Sequence, residues 1–276
     1  MPTTPPLSPA VAAATRAVDA ATLAADLAFI AQPRNHLETP EHLAAVAAHV
    51  SQVFRAAGYA TSRQPVQYQG ASADNVVAEK RGRAGAAGRI VYVCAHYDAV
   101  PGSPGADDNA SAVAGMLAVA RALAAVPMDA TVRFAAFAFE EYGLTGSQTH
   151  VQSLPGAEVA RIAGVLDLEM IGYVKTGKGS QEFPPGAGMF ADEPLPTEGD
   201  FIGVVGLSGQ PEPLASLRAL HDAGDCQAPH EVEHRERHDA LHPDANGHLV
   251  VGVEGRDLRG APVLARRRKE PGDAGP

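Results

Sequence analysis

The stretch VCAHYDAVPGSPGADDNASAVAG, residues 93–115, opens on an apolar run, passes through a histidine and three acidic residues, and closes on small residues suited to a helix. The run begins a few residues earlier, as RIVYVCAHYDA. Its consecutive hydrophobic positions are the pattern of a strand covered on both faces, inside a parallel or mixed sheet. His96, Asp98, Asp107 and Asp108 therefore stand at the mouth of a buried strand, where an unpaired charge is expensive.

Working outward, the same alternation of element types recurs. ASAVAGMLAVARALAAV reads as a helix, with Pro127 just beyond it. TVRFAAFAFE is the next buried strand, followed by a turn at Gly143 and a helix from about Ser147. RIAGVLDLEMIGY is a third strand and GDFIGVVG a fourth, with a helix over 211–222. Upstream, 61–69 and 74–80 read as strands, and GRAGAAG reads as a loop. Residues 10–32 and 40–57 carry apolar residues at helical spacing, with Thr39 as N-cap of the second stretch and Gly58 as its stop. Strands alternating with helices predict a three-layer α/β/α domain on a central mixed, largely parallel sheet. Its span is 10–220, after a loose Pro/Thr-rich segment at 1–9.

The chain has 276 residues, 45% of them hydrophobic, which is enough for one sizeable core. Its formal net charge of −10 argues against nucleic-acid binding, which needs a basic footprint. The one basic run, Arg266 to Lys269, reads as a solvated tail. Two cysteines, Cys94 and Cys226, make no disulfide framework and suit a reducing, cytoplasmic compartment. Asp19 and Asp26 interrupt the N-terminal apolar residues, so neither a signal peptide nor a membrane span is expected.

The acidic and imidazole residues fall at strand ends. His96 and Asp98 follow IVYVCA, Glu140 and Glu141 end VRFAAFAF, and Glu169 ends GVLDL. In open α/β sheets, ligand sites form beyond the carboxyl ends of the strands. Each signal has a plainer reading. A DD pair before a helix is often an N-cap, EE is usually a solvated pair, and a lone histidine after a strand is commonly a satisfied polar residue. Taken together, the residues would repel one another and be badly desolvated unless a cation joined them. One histidine with several carboxylates from separate elements suits zinc.

AHYD, PGADDNASAVAG, FAFEEYGLTGS and LDLEMIGY, in that order, resemble the successive motifs of the M28 family of zinc peptidases. The resemblance covers roughly 70–220. It implies a phosphorylase/hydrolase-like α/β fold, a peptide substrate, and hydrolysis of N-terminal peptide bonds as an aminopeptidase. By the same resemblance His96 and Glu169 would ligate one zinc, Glu141 the other, and Asp108 would bridge the two. Asp107 would not be a ligand. Asp98 would orient His96, and Glu140 would be the general base. Two other readings use the same residues: a catalytically inactive relative serving as a binding or structural module, and a glutaminyl cyclase-like acyltransferase with one zinc.

The resemblance stops near residue 221. The family's last histidine ligand has no counterpart motif, so one zinc could replace two. All eight Phe and all six Tyr lie at or before Phe201, whereas six of the eleven histidines lie from His221 onward. Residues 221–276 thus read as an atypical His/Arg/Gly-rich tail, either disordered, diverged or frame-shifted. His234, His238 and His242 are spaced to share one helix face, either as a polar surface or as ligands that replace the lost one.

Overall fold

A computed structural model describes residues 9–175, 177–181, 197–199, 203–206 and 250–254. The expected helix at 211–222, Cys226 and the tail histidines lie outside the described residues. The run at 90–96 forms a central strand, and its neighbours follow from the hydrophobic runs on either side. Strands β1 (Ala60–Tyr68) and β2 (Ala71–Lys80) form an antiparallel hairpin. The two residues between them, Gln69 and Gly70, both have positive φ, as a tight two-residue hairpin turn requires.

β3 (Ile90–His96) lies between β4 (Thr131–Phe137) and β5 (Ile162–Glu169) and runs parallel to both. β4 also pairs with β2, antiparallel. On the far side of β5 come β6 (Gly203–Gly206) and β7 (Val250–Glu254), in the order β1-β2-β4-β3-β5-β7-β6. β7 is antiparallel to β5 and parallel to β6. The sheet is therefore mixed, with its parallel centre formed by the three runs that end in acidic or imidazole residues. β7 comes from within the segment 221–276.

Helices cover both faces. α1 (Pro9–Arg16), α2 (Ala20–Ile30), α3 (Pro40–Ala56) and α4 (Ala112–Leu123) lie on one side. α3 buries Leu43, Val46, Val50 and Phe54 at helical spacing, and α4 buries Val113, Met116, Leu117 and Ala120. These meet Val93, Ala95, Phe134 and Ala136 from the sheet in the larger core. Tyr59 and Phe54 pack their rings on Phe134 at 5.4 and 5.7 Å. Each such buried aromatic contributes roughly 1.5–3 kcal/mol from burial alone. α5 (Thr145–Ser153) and the short α6 (Gly156–Val159) cover the other face, over Ile90, Tyr92, Cys94, Ala135 and Ile162.

The expected helix over 10–32 is two helices. Asp19 breaks it, because its carboxylate accepts the Thr22 N–H at 2.8 Å and caps α2. Thr39 stands at the N-cap of α3, but its hydroxyl accepts from the Asn35 N–H at 3.0 Å and makes no capping bond to the helix. Buried Asp26 of α2 takes hydrogen bonds from Arg121 of α4 and shares one with His49 of α3, at 2.8 Å, so one carboxylate joins three helices. Burial raises its pKa, yet these partners outweigh burial and hold it below the ordinary carboxylate value.

Candidate metal centre

The parallel register brings the ends of β3, β4 and β5 to one edge, with His96 opposite Phe137. His96 is the last residue of β3 and Glu169 the last of β5, while Glu140 and Glu141 follow just beyond β4. The fourth contributor is the wide helical turn Ala106–Ser111 that leads into α4. Within it Asp108 and Asn109 leave helical geometry, with φ/ψ of −98°/95° and −128°/36°. That departure swings Asp108 toward the strand ends.

His96 Nε2 lies 3.1 Å from Asp108 Oδ1, 3.5 Å from Glu169 Oε2 and 3.9 Å from Glu140 Oε2. Ligand atoms of His96, Asp108 and Glu141 all fall within 4.8 Å of one another. Behind the ring, Asp98 is fully buried, with Oδ1 3.5 Å from His96 Nδ1. The same carboxylate accepts the Glu140 and Glu141 N–H groups at 3.0 and 3.3 Å. This acid thus holds the turn that presents the two glutamates, and it stands behind the imidazole, whose Nδ1 has no hydrogen-bond partner among the described residues. Asp107 points elsewhere, accepting from the Ser111 hydroxyl at 3.0 Å and the Gly172 N–H at 2.7 Å.

The plainer reading of Asp107 and Asp108 as a capping pair does not hold for Asp108. α4 has no side-chain cap, and Asp108 Oδ1 is buried without a hydrogen-bond partner among the described residues. Its 3.1 Å approach to His96 is not aligned as a hydrogen bond. Glu141 Oε1 is likewise buried without a partner. Such orphaned acceptors cost free energy unless something cationic meets them. Imidazole nitrogen and carboxylate oxygen are also the donor set zinc takes, so the residues fit a divalent cation.

The electrostatics agree. Burial, reinforced by repulsion from Asp108, pushes Glu141 up to about 8. Burial also raises Glu140, although the His96 charge opposes it. Burial works against an imidazolium at His96, but Asp108, Asp98 and Glu169 overcome it and hold the ring well above its ordinary value. The cluster crowds negative charge into low dielectric, which favours a positive charge among these groups. A divalent cation relieves the same crowding.

Sequence reasoning missed several supporting residues. Buried Asn109 donates to Glu169 Oε2 at 2.8 Å and to the Leu168 carbonyl at 3.0 Å, and accepts the Met170 N–H at 3.1 Å. Buried Asn75 donates to the Gly146 carbonyl at 2.8 Å and accepts the Ala138 N–H at 3.0 Å, pinning the exit of β4 before Glu140. Arg34, fully buried, donates among the described residues to backbone carbonyls, those of Tyr97 and Gly105 beside the site among them. Among the described residues no helix is long and apolar enough to cross a membrane.

Fold and site together define an α/β/α protein with an imidazole-and-carboxylate cluster at the carboxyl edge of its central strands. Residues 75–192 match the model of Peptidase family M28. Aminopeptidase YwaD of Bacillus subtilis (strain 168) is 51% identical over 83 residues, covering 30% of this chain and 18% of that protein. The uncharacterized protein YfbL of Escherichia coli (strain K12) is 34% identical over 175 residues, 60% of this chain and 52% of that protein. The chain thus spans about half, or less, of these curated relatives. An aminopeptidase from Aneurinibacillus sp. strain AM-1 shares the fold, with a TM-score of 0.54 at 18% identity over 62% of this chain and 74% of that chain.

Proposed function

We propose that the chain is a zinc-dependent metallopeptidase that removes residues from peptide N-termini. The observation that carries this reading is the convergence of His96, Asp108, Glu141 and Glu169 from four separate elements, with two buried carboxylate oxygens that have no hydrogen-bond partner among the described residues. The names of the relatives supply the aminopeptidase class. His96 and Glu169 would hold one zinc, Glu141 would hold a second, and Asp108 would serve both. The second position has two described protein ligands where catalytic zinc usually has three. One firmly held zinc is therefore expected, with a second only if a tail histidine joins it.

Bound zinc supplies Lewis acidity at the scissile carbonyl and acidifies water to a pKa of about 7. Glu140 takes the proton from the attacking water and returns it to the departing amine. Burial raises the Glu140 pKa, which suits a group that must hold a proton between those steps. Asp98 holds the Glu140–Glu141 backbone through its two oxygens and, 3.5 Å behind Nδ1, would orient the imidazole once metal is bound.

The test is metal analysis of the purified full chain, together with hydrolysis of aminoacyl anilides. Bound zinc with chelator-sensitive hydrolysis supports the reading. Protein that takes up no zinc, or that cyclises N-terminal glutamine instead of hydrolysing, overturns it.

A further inference from the structure

We propose that Arg34 is a positioning residue of the metal centre, clamping the loop that carries His96 and Asp98 to the turn that carries Asp108. This inference rests on the metal-centre reading above. Arg34 lies in the connection between α2 and α3, far in sequence from any motif residue, and its side chain is fully buried. Nε donates to the Tyr97 carbonyl at 2.7 Å, between His96 and Asp98. Nη2 donates to the Gly105 carbonyl at 2.8 Å, and Nη1 to that of Pro104, both at the entry to the Asp107–Asp108 turn. Nη1 also reaches the carbonyls of Ile30 and Gln32 at 3.2 Å, which anchor the guanidinium to the end of α2. The Arg34 carbonyl in turn accepts the Ala99 N–H at 3.2 Å.

Two further observations separate this arrangement from an ordinary buried arginine. First, none of the acceptors is a carboxylate. A buried cation without an ion-pair partner is costly, and the nearest compensation is the field of Asp98, Asp108 and Glu141. That field opposes the depression that burial imposes, leaving the group at about 10 and charged at neutral pH. Second, the turn is wrapped on the guanidinium without slack. Gly105 has φ +52°, and a Cβ there would meet Asp108 O at 2.4 Å and Arg34 Nη2 at 2.8 Å. The glycine is required by both the backbone and the clamp. The planar fork is what spans two loops at once. A lysine would keep the charge and lose that geometry.

The experiment compares Arg34→Lys with the parent and with Val46→Ala, a truncation in α3 remote from the site, in the full chain. Zinc affinity is measured by competition with a chelating dye, and amide exchange by mass spectrometry on chelator-treated protein. Arg34→Lys should weaken zinc binding at least tenfold and speed exchange across 97–110. Val46→Ala should lower the melting temperature while leaving zinc affinity within twofold. Parent-like zinc affinity in Arg34→Lys, or equal weakening in Val46→Ala, overturns the proposal. If Arg34→Lys does not fold, Gly105→Ala, which crowds the same guanidinium, takes its place, and parent-like zinc affinity there overturns it equally. A parent that binds no zinc defeats the metal-centre reading. The clamp is then judged by exchange alone, and unchanged protection across 97–110 defeats it too.

Discussion

His150, on the sheet face opposite Arg34, should make the fold sensitive to mild acid. Its ring is buried between Tyr92 and Phe137, with Nε2 3.1 Å from Tyr92 Oη and Nδ1 3.3 Å from Gln64 Oε1. Burial, and secondarily the Arg133 charge, lower its pKa from 6.5 to about 4. A histidine held neutral in the folded state binds fewer protons than in the unfolded chain between those two values. Its contribution to stability is complete above 6.5 and is lost as pH falls toward about 4. Integrating the proton difference gives a loss of about 2 kcal/mol at pH 5. The assay is urea unfolding of chelator-treated protein at pH 7, 6 and 5, for the parent and for His150→Phe. Phenylalanine keeps an aromatic ring but cannot titrate. The parent should lose about 2 kcal/mol more than the variant between pH 7 and 5. Parallel stability curves would show that His150 already titrates normally in the fold, and the burial argument would fail.

Glu140→Gln should keep the zinc content of the parent and reduce turnover by roughly 10²–10⁴-fold. Loss of metal instead, measured by elemental analysis, would mean that Glu140 and not Glu141 is the ligand. Asp108→Ala should remove zinc and lower the zinc-dependent melting temperature, since binding to the folded state stabilises it by mass action. A variant that melts like the parent in both zinc and chelator contradicts a ligand role. Gly146→Ala should destabilise by roughly 1–3 kcal/mol or more, because a Cβ there would meet the Ala138 carbonyl at 2.1 Å and Asn75 Oδ1 at 2.6 Å. Urea midpoints test this, and an unchanged midpoint refutes the close approach. Among His230, His234, His238, His242 and His248, a single His→Ala change that halves zinc content identifies a tail ligand. Unchanged zinc in all five excludes these imidazoles as ligands.

Much of the strand-end chemistry was legible because hydrophobic runs announce buried strands, and a charge at the end of such a run has few places to go. IVYVCAH and VRFAAFAFEE carry that signal within themselves. Arg34 carries none. It sits in AQPRNHLE, a polar connection, and its partners are backbone carbonyls at 97, 104 and 105 that no side-chain pattern reports. Asn109 and Asn75 are invisible for the same reason: each bonds across long sequence separations to main-chain groups. The break at Asp19 was missed because a local cap overrode an apolar periodicity that continues through it. β7 was missed because the composition of 221–276 as a whole outweighed five residues, VVGVE, with strand-forming valines.

The position of β7 has a consequence for how the chain matures on the ribosome. β5 carries Glu169 and is flanked on its outer edge by Val250–Glu254, and β6 pairs with no other described strand than β7. From Glu169 to Val250 the numbering advances by 81 residues. At roughly 5–20 residues per second of synthesis, that interval lasts on the order of 4–16 s. Throughout it the outer edge of β5 lacks the strand that pairs with it in the finished fold. An exposed edge invites pairing with other chains, so the late synthesis of β7 lengthens the time in which the unfinished chain can associate wrongly.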